Sequence, residues 1–349
     1  MIVVLQNDSK KMASRKTTIK DIATEAGVSV SLVSFVMNNR AKADGTGRLY
    51  RVSEETSQKI MEVARRLDYQ PNNAARSLRS GRTNTIGVIV SDISNRFFAD
   101  IGRFIEDAAY KLHYTVIFGS SDENPDKLEN IVGALMSRGV DGMIVVPCEK
   151  SEASIAKIVE AGIPLVLIDR DMEGIDANRV MLNNRKAGMM ATESLIRRGC
   201  RRIEMLSYAM RLSNIRDREA GYRAAMTEAG LGESVNIHTI RFKNIPAQIA
   251  KAFDDILARE VDGIVFATNT LTIEGIKRLR STAPEALDHI RIVAFDESDA
   301  FDLSDYRVSY VKQPIELFGS ESVRILLDCI ANGNQQSVSS TLNPQFVEV

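Results

Sequence analysis

Cysteine and histidine are scarce in this 349-residue chain, and their scatter excludes several kinds of chemistry. The three cysteines, Cys148, Cys200 and Cys329, are far apart, odd in number and unaccompanied by histidines at metal-ligand spacing. Neither a disulfide framework nor a metal site is expected of them; they read as reduced core thiols of a cytoplasmic protein. His113, His238 and His289 are equally dispersed and read as surface or packing residues. There is no G-x-S-x-G elbow, P-loop, G-x-G-x-x-G or H-E-x-x-H. Carboxylates are plentiful, but no spacing singles out a catalytic pair, so the expectation is a protein that is not an enzyme and uses no cofactor and no metal. No apolar run approaches a membrane span, and Met1 to Leu5 is too short for the apolar region of a signal peptide. The expected place is the cytoplasm, with no membrane partner.

Charge is unevenly placed. Of 45 Lys+Arg and 46 Asp+Glu, residues 1–83 hold 15 and 8, a net of +7, which leaves 30 and 38, a net of −8, for the remainder. A basic head on an acidic body points to a polyanion as the partner of the head alone. The length predicts two or three domains, and 44% hydrophobic residues suffice for sizeable cores. Residues 1–16, polar and basic after Leu5, read as a disordered extension.

The stretch Thr18 to Asn39 reads as two short helices broken at Ala26-Gly27-Val28. Ile19, Ile22, Ala23 and Ala26 recur at helical spacing and share one face. Thr18 and Asp21 form a relative of the capping box, and Gly27 allows the left-handed backbone that ends the first helix. Ser29 then caps a second helix whose buried stripe is Leu32, Val33, Val36 and Met37, leaving Val30, Ser31 and Phe35 outward. Such a pair is the helix-turn-helix arrangement whose outward residues meet base edges, and it is also an ordinary helical hairpin. Arg40 to Arg51 is rich in glycine and charge and reads as a loop; Asp44-Gly45-Thr46-Gly47 has no strand before it to make a phosphate loop. Ser53 caps a third helix with Ile60, Val63, Ala64 and Leu67 on one face, closing a module over 17–70. Pro71 ends that run, and Asn72 caps one further short helix reaching Leu78. A helix of that length is marginal alone, so Asn73 to Leu78 is expected to order only against a partner, and residues 71–84 read as a hinge helix and linker.

From Thr85 the pattern alternates strand and helix. TIGVIV, TVIFGS, DGMIVVP and PLVLIDR are strand-length apolar runs, followed by RIEMLSY, NIHTIRF, DGIVFAT and RIVAFDE, with helical stretches between. Val140-Asp141-Gly142 and Val261-Asp262-Gly263 open the same segment twice. The fold class is therefore α/β: an all-α head followed by two doubly wound parallel-sheet lobes filling 85–349. Lobe one is placed at about 85–169 with a final helix at 315–331, and lobe two at about 185–296. The stretches 170–202 and 297–314 are expected to cross between them. Strand ends facing a cleft between lobes are where such sheets bind ligands. Phe97, Phe98, Arg218, Asn269 and Asp296 fall there, and aromatics beside Asp, Asn and Arg suit a sugar. Taken singly, each also suits a plain core, surface or capping role.

These residues resemble the lactose-repressor and galactose-repressor family of bacterial transcription regulators. The likeness rests on Thr18-Ile-Lys-Asp-Ile-Ala, Gly27-Val-Ser-Val-Ser, Val52-Ser-Glu-Glu-Thr, Tyr69-Gln-Pro-Asn, Ala75-Arg-Ser-Leu and Thr85-Ile-Gly-Val-Ile-Val with Asp92-Ile-Ser-Asn. It continues through the Val-Asp-Gly repeats, Arg218 with Gly221-Tyr222, Phe295-Asp296 and Gln313-Pro314. The resemblance implies a homodimer that reads palindromic double-stranded DNA and a periplasmic-binding-protein-like core that holds a small effector, frequently a sugar. It implies DNA contacts from Thr18, Ser29, Val30, Ser31, Ser34, Phe35, Asn39, Tyr69, Asn72, Ala75 and Arg76, with Leu78 as a wedge at the central base step. It places Asp92, Phe97, Phe98, Asn183, Arg218, Asn269 and Asp296 at the effector.

Several positions depart from that pattern. Phe35 offers apolar contact where relatives often carry a long polar side chain. The loop at 40–51 is longer than usual and suits added phosphate contacts. Asn183-Asn184 and Asn269-Thr270 stand where carboxylates are frequent, which predicts fewer acids in the cleft and leaves room for a phosphorylated or acidic effector. No leucine heptad closes the chain, so a dimer is expected. The alternatives are a stand-alone cytoplasmic sugar-binding or sugar-modifying protein, and a nucleoid-like protein without sequence preference.

Overall fold

A computed structural model describes residues 17–39, 52–69, 81–302, 306–333 and 336–349. It divides into two compact units at Gly81 and Arg82.

The first unit contains three helices, α1 (Ile19–Ala26), α2 (Val30–Asn39) and α3 (Glu54–Arg66). A capping box joins Thr18 and Asp21, whose carboxylate accepts from the Thr18 amide at 2.7 Å. Gly27, at φ 68° and ψ 36°, turns the chain out of α1 in the left-handed region that glycine adopts without a steric cost. The Ser29 hydroxyl oxygen accepts from the Leu32 amide, and Ser53 accepts from Thr56, so both following helices start on capped ends. Ile22, Ala23, Ala26, Val33, Val36, Ile60, Val63 and Ala64 are buried together as the core of this unit. The loop at 40–51, the segment 70–80 and residues 1–16 lie outside the described residues.

The second unit holds two sheets. The first orders β11 (Ser339–Leu342), β5 (Asn178–Leu182), β4 (Leu165–Ile168), β3 (Gly142–Val145), β1 (Thr85–Val90) and β2 (Thr115–Ser120), all parallel. The second orders β12 (Gln345–Val347), β10 (Ser309–Lys312), β9 (Arg291–Phe295), β8 (Gly263–Phe266), β6 (Ile203–Tyr208) and β7 (Asn236–Ile240), parallel except for β12. Every residue of β3, β4, β6 and β8 is buried, as a parallel sheet covered on both faces requires. The covering helices are α4 (Arg96–Lys111), α5 (Pro125–Ser137), α6 (Glu152–Glu160), α7 (Asn184–Arg197), α8 (Ser213–Glu228), α9 (Ile245–Ala258), α10 (Asn269–Thr282) and, after the short α11 (Asp299–Asp302), α12 (Ile315–Asn332).

The lobe limits differ from the sequence expectation. The first sheet extends past 169 to take in β5 and β11, and the second extends past 296 to take in β10 and β12. The stretches 170–202 and 297–314 are thus mostly structured within the lobes. The chain passes between sheets at Asn183, at Gln313-Pro314 and at Asn343-Pro344. Helix α12 packs on α4 and on β3, β4 and β5 of the first lobe.

In the second lobe, α7 and α8 approach backbone to backbone at Gly188 and Gly221. A Cβ at Gly188 would overlap the Arg218 carbonyl, and one at Gly221 would overlap the Arg185 carbonyl. This close crossing brings Asn184, at the start of α7, against Arg218 on α8.

Candidate functional site

Between the lobes lies a cavity of about 220 Å³, lined from the first lobe by the segments after β1, β2 and β4 and from the second by those after β6, β8 and β9. It therefore sits at the carboxyl ends of both sheets. A hollow of about 530 Å³ bounded by residues 171–176, Arg179, Ser213 and Arg216 contains no aromatic ring and only one strand residue, Arg179. The smaller cavity, where both sheets converge, is the candidate site.

Six of the expected effector residues, Asp92, Phe97, Phe98, Arg218, Asn269 and Asp296, line this cavity. Asn183 does not: its side chain accepts from the Lys186 amide at 3.0 Å and caps α7, while the neighbouring Asn184 faces the buried arginine. Asp92 accepts from the Ser94 amide and hydroxyl at 2.8 and 2.7 Å, an Asx turn after β1. Asn95 caps α4, which carries Phe97 and Phe98, packed edge to face with centroids 5.0 Å apart.

Arg218 is buried. Its Nε donates to Asn184 Oδ1 at 2.9 Å, Nη1 donates to the Ala267 carbonyl at 2.7 Å, and the guanidinium carbon lies 4.1 Å from the Phe295 ring centroid. Burial lowers its pKa against the opposing pull of Asp169 and Asp296. Asp296 follows β9 at φ 66° and accepts from Gln313 at 2.9 Å; burial raises its pKa to about 6 despite Arg218 and Gln313.

The cavity contains charged groups that the sequence reading missed. Arg170 makes a bidentate pair with Glu123, at 2.9 and 2.6 Å, and donates to the Pro147 carbonyl at 3.1 Å. Asp169 accepts from Asn214 at 2.9 Å and lies 3.4 Å from Arg170; its pKa is raised by burial, which outweighs the two arginines and Asn214. Glu123, Asp169 and Asp296 all have left-handed φ, between 55° and 66°, which is costly for side chains other than glycine. With Asp92 they give four carboxylates against two arginines. The cleft is therefore not poor in acids: besides the expected Asp92 and Asp296 it holds Glu123 and Asp169, which follow β2 and β4 and are not among the expected site residues. A signal existed, because Asp169 follows Ile168 just as Asp296 follows Phe295. The apolar run PLVLIDR suggests a strand through Arg170, whereas β4 ends at Ile168.

Three buried oxygens of cavity residues have no hydrogen-bond partner: Asp169 Oδ1, Asn269 Oδ1 and Gln313 Oε1. Tyr208 and Phe242 add aromatic surface, with ring centroids 5.7 Å apart. Among the described residues no group of three or more His, Cys, Asp and Glu is placed to hold a metal ion, and no helix is long and apolar enough to cross a membrane.

In the head, Thr18, Ser29, Val30 and Ser31 are exposed, Val30 at 44%, while Ser34 and Phe35 are half-buried. Tyr69 packs against the core of this unit, its amide bonded to the Ala64 carbonyl at 2.9 Å. Asn39 ends α2, and its side chain lies outside the described residues, as do Asn72, Ala75, Arg76 and Leu78.

A three-helix head with a capped helix-turn-helix, preceding a two-lobed core with a ligand-sized cleft, defines a ligand-responsive DNA-binding regulator. Residues 18–72 match the profile of bacterial regulatory proteins, lacI family, and residues 86–300 match the periplasmic binding protein domain. The chain is 29% identical over 337 residues to the HTH-type transcriptional regulator RegA of Clostridium saccharobutylicum, covering 95% of this chain and 98% of that protein. It is 30% identical over 315 residues to the HTH-type transcriptional regulator DegA of Bacillus subtilis, covering 88% and 90%. Its fold is similar to that of the lac repressor dimer bound to operator and the anti-inducer ONPF, with a TM-score of 0.81 over 96% of this chain and 98% of that one at 19% identity. The chain belongs to the lacI family and is a DNA-binding transcription regulator; the relatives it matches are regulators rather than enzymes.

Proposed function

We propose that this regulator is a cytoplasmic homodimer that represses carbohydrate-use genes, binds a palindromic operator, and is controlled by a sugar or sugar derivative held between its lobes. The observation that carries the effector reading is the set of unpaired acceptors, Asp169 Oδ1, Asn269 Oδ1 and Gln313 Oε1, beside aromatic faces. Buried acceptors without donors are costly, and a ligand rich in hydroxyl groups relieves that cost. A phosphate suits the space poorly: four carboxylates stand around it against two arginines, which already donate to Glu123, Pro147, Asn184 and Ala267, although Arg170 Nε is left without a hydrogen bond.

Control follows from linkage. A ligand that binds one lobe arrangement better shifts the population toward it, and the operator favours the arrangement that suits residues 71–84. In that reading the base contacts come from Val30, Ser31 and Phe35, with Leu78 as the wedge in the minor groove and much of the specificity drawn from DNA shape.

The test is thermal unfolding of the full chain with a panel of neutral mono- and disaccharides, their phosphates and their acids, repeated on the DNA complex. At least one neutral sugar is expected to raise the unfolding temperature and to change DNA affinity, with its phosphate ineffective. Stabilisation by phosphates or acids alone overturns the effector reading.

A further inference from the structure

The two Val-Asp-Gly segments use their aspartates in one way but hold different pieces of chain. Asp262, just before β8, accepts from the amides of Arg201 and Arg202, each at 2.9 Å. Those two residues lead into β6, the first strand of the second lobe, and arrive from α7 of the same lobe. Asp141, just before β3, accepts from the amide of Thr83 at 2.7 Å, from its hydroxyl at 2.9 Å and from the amide of Asn84 at 2.8 Å. Thr83 and Asn84 lead into β1, but they arrive from the segment that follows the helix-turn-helix unit.

Other ties converge on the same short piece. The Thr83 hydroxyl also approaches the Gly139 carbonyl at 2.9 Å, and Arg82 donates to the Ile330 carbonyl, in the last turn of α12, at 2.6 Å. Asn84 has φ 49°, a left-handed conformation that non-glycine residues keep only when their surroundings hold it. An ionised acceptor facing two backbone amides is the strong form of such a hold. All of this lies at the amino ends of β1 and β3, whereas the cavity lies at the carboxyl ends of the strands, and Asp141 is not among its lining residues.

We infer that Asp141 is a positioning residue that makes residues 82–84 part of the first lobe, so that a lobe movement set in the cavity is delivered to the segment leading to the DNA-binding head. This rests on the reading of residues 71–84 as the hinge. In the second lobe the same device is purely structural, and Asp262 serves as the internal control.

The experiment uses the full chain and a palindromic duplex selected by the wild type from a random pool, with a scrambled duplex of equal length as reference. For Asp141→Asn the expected loss is about tenfold in affinity for the palindrome, the scale of a charged hydrogen bond made neutral, with affinity for the scrambled duplex unchanged. Asp262→Asn is expected to keep the palindrome preference of the wild type. Simple loss of folded protein lowers both duplexes together, so the ratio separates positioning from stability. If Asp141→Asn fails to fold, Thr83→Val removes one of the three donors and is expected to lower the preference by about threefold. An unchanged preference in a folded Asp141 or Thr83 variant, or an equal fall in Asp262→Asn, overturns the inference. A wild type without any palindrome preference overturns the regulator reading itself, and the inference with it.

Discussion

The Asp169 carboxylate, at the end of β4 in the first lobe, accepts a hydrogen bond at 2.9 Å from the Asn214 side chain, in the first turn of α8 in the second. The two sheets are thereby tied to each other through the cavity wall. Asn214→Ala leaves a second oxygen of a buried carboxylate without a donor, beside the Oδ1 that already lacks one. The expected cost is about 1–3 kcal/mol, measured by urea unfolding. Unchanged stability contradicts the tie.

The crossing of α7 and α8 admits no side chain at Gly188 or Gly221. Gly188→Ala is expected to destabilise the second unit by about 3 kcal/mol, because the clash is with the Arg218 backbone rather than with a flexible side chain. The displaced backbone carries Arg218, so binding of the proposed effector sugar is expected to weaken as well. Urea unfolding and calorimetry of the same variant check both effects.

Asp296 makes stability depend on pH. Burial raises its pKa from 3.8 to about 6 in the folded chain, so the folded state holds the proton more tightly than the unfolded state. Its contribution is most favourable below about pH 4 and is lost as pH rises through 6. The difference amounts to about 3 kcal/mol. Asp296→Asn, which keeps an acceptor for Gln313, is therefore expected to be more stable than the wild type at pH 7 and to lose the slope between pH 4 and 6. Parallel pH profiles for the two proteins contradict this account of the aspartate.

Local signals explain what was legible in the sequence. TIGVIV and TVIFGS coincide with β1 and β2 because an apolar run bounded by polar residues has few other uses. Thr18, Gly27, Ser29 and Ser53 marked the helix ends because capping depends on immediate neighbours. By contrast β11 and β12, with sequences SSTL and QFV, have no apolar run, and they become strands only by pairing with β5 and β10 about 160 and 35 residues away. The acids of the cavity were hidden for a related reason. Glu123 reaches the site through a left-handed turn, and Asn184 rather than Asn183 meets Arg218 because of where α7 begins, neither of which spacing reveals.

The most direct test of a DNA-binding regulator is the affinity of the full chain for the duplex it selects, measured by fluorescence anisotropy between 50 and 200 mM salt. A dimer whose basic heads neutralise several phosphates is expected to lose about 10³–10⁵ in affinity over that range while still preferring the selected duplex to a scrambled one. Binding that ignores salt, or no binding to any selected duplex, contradicts the account.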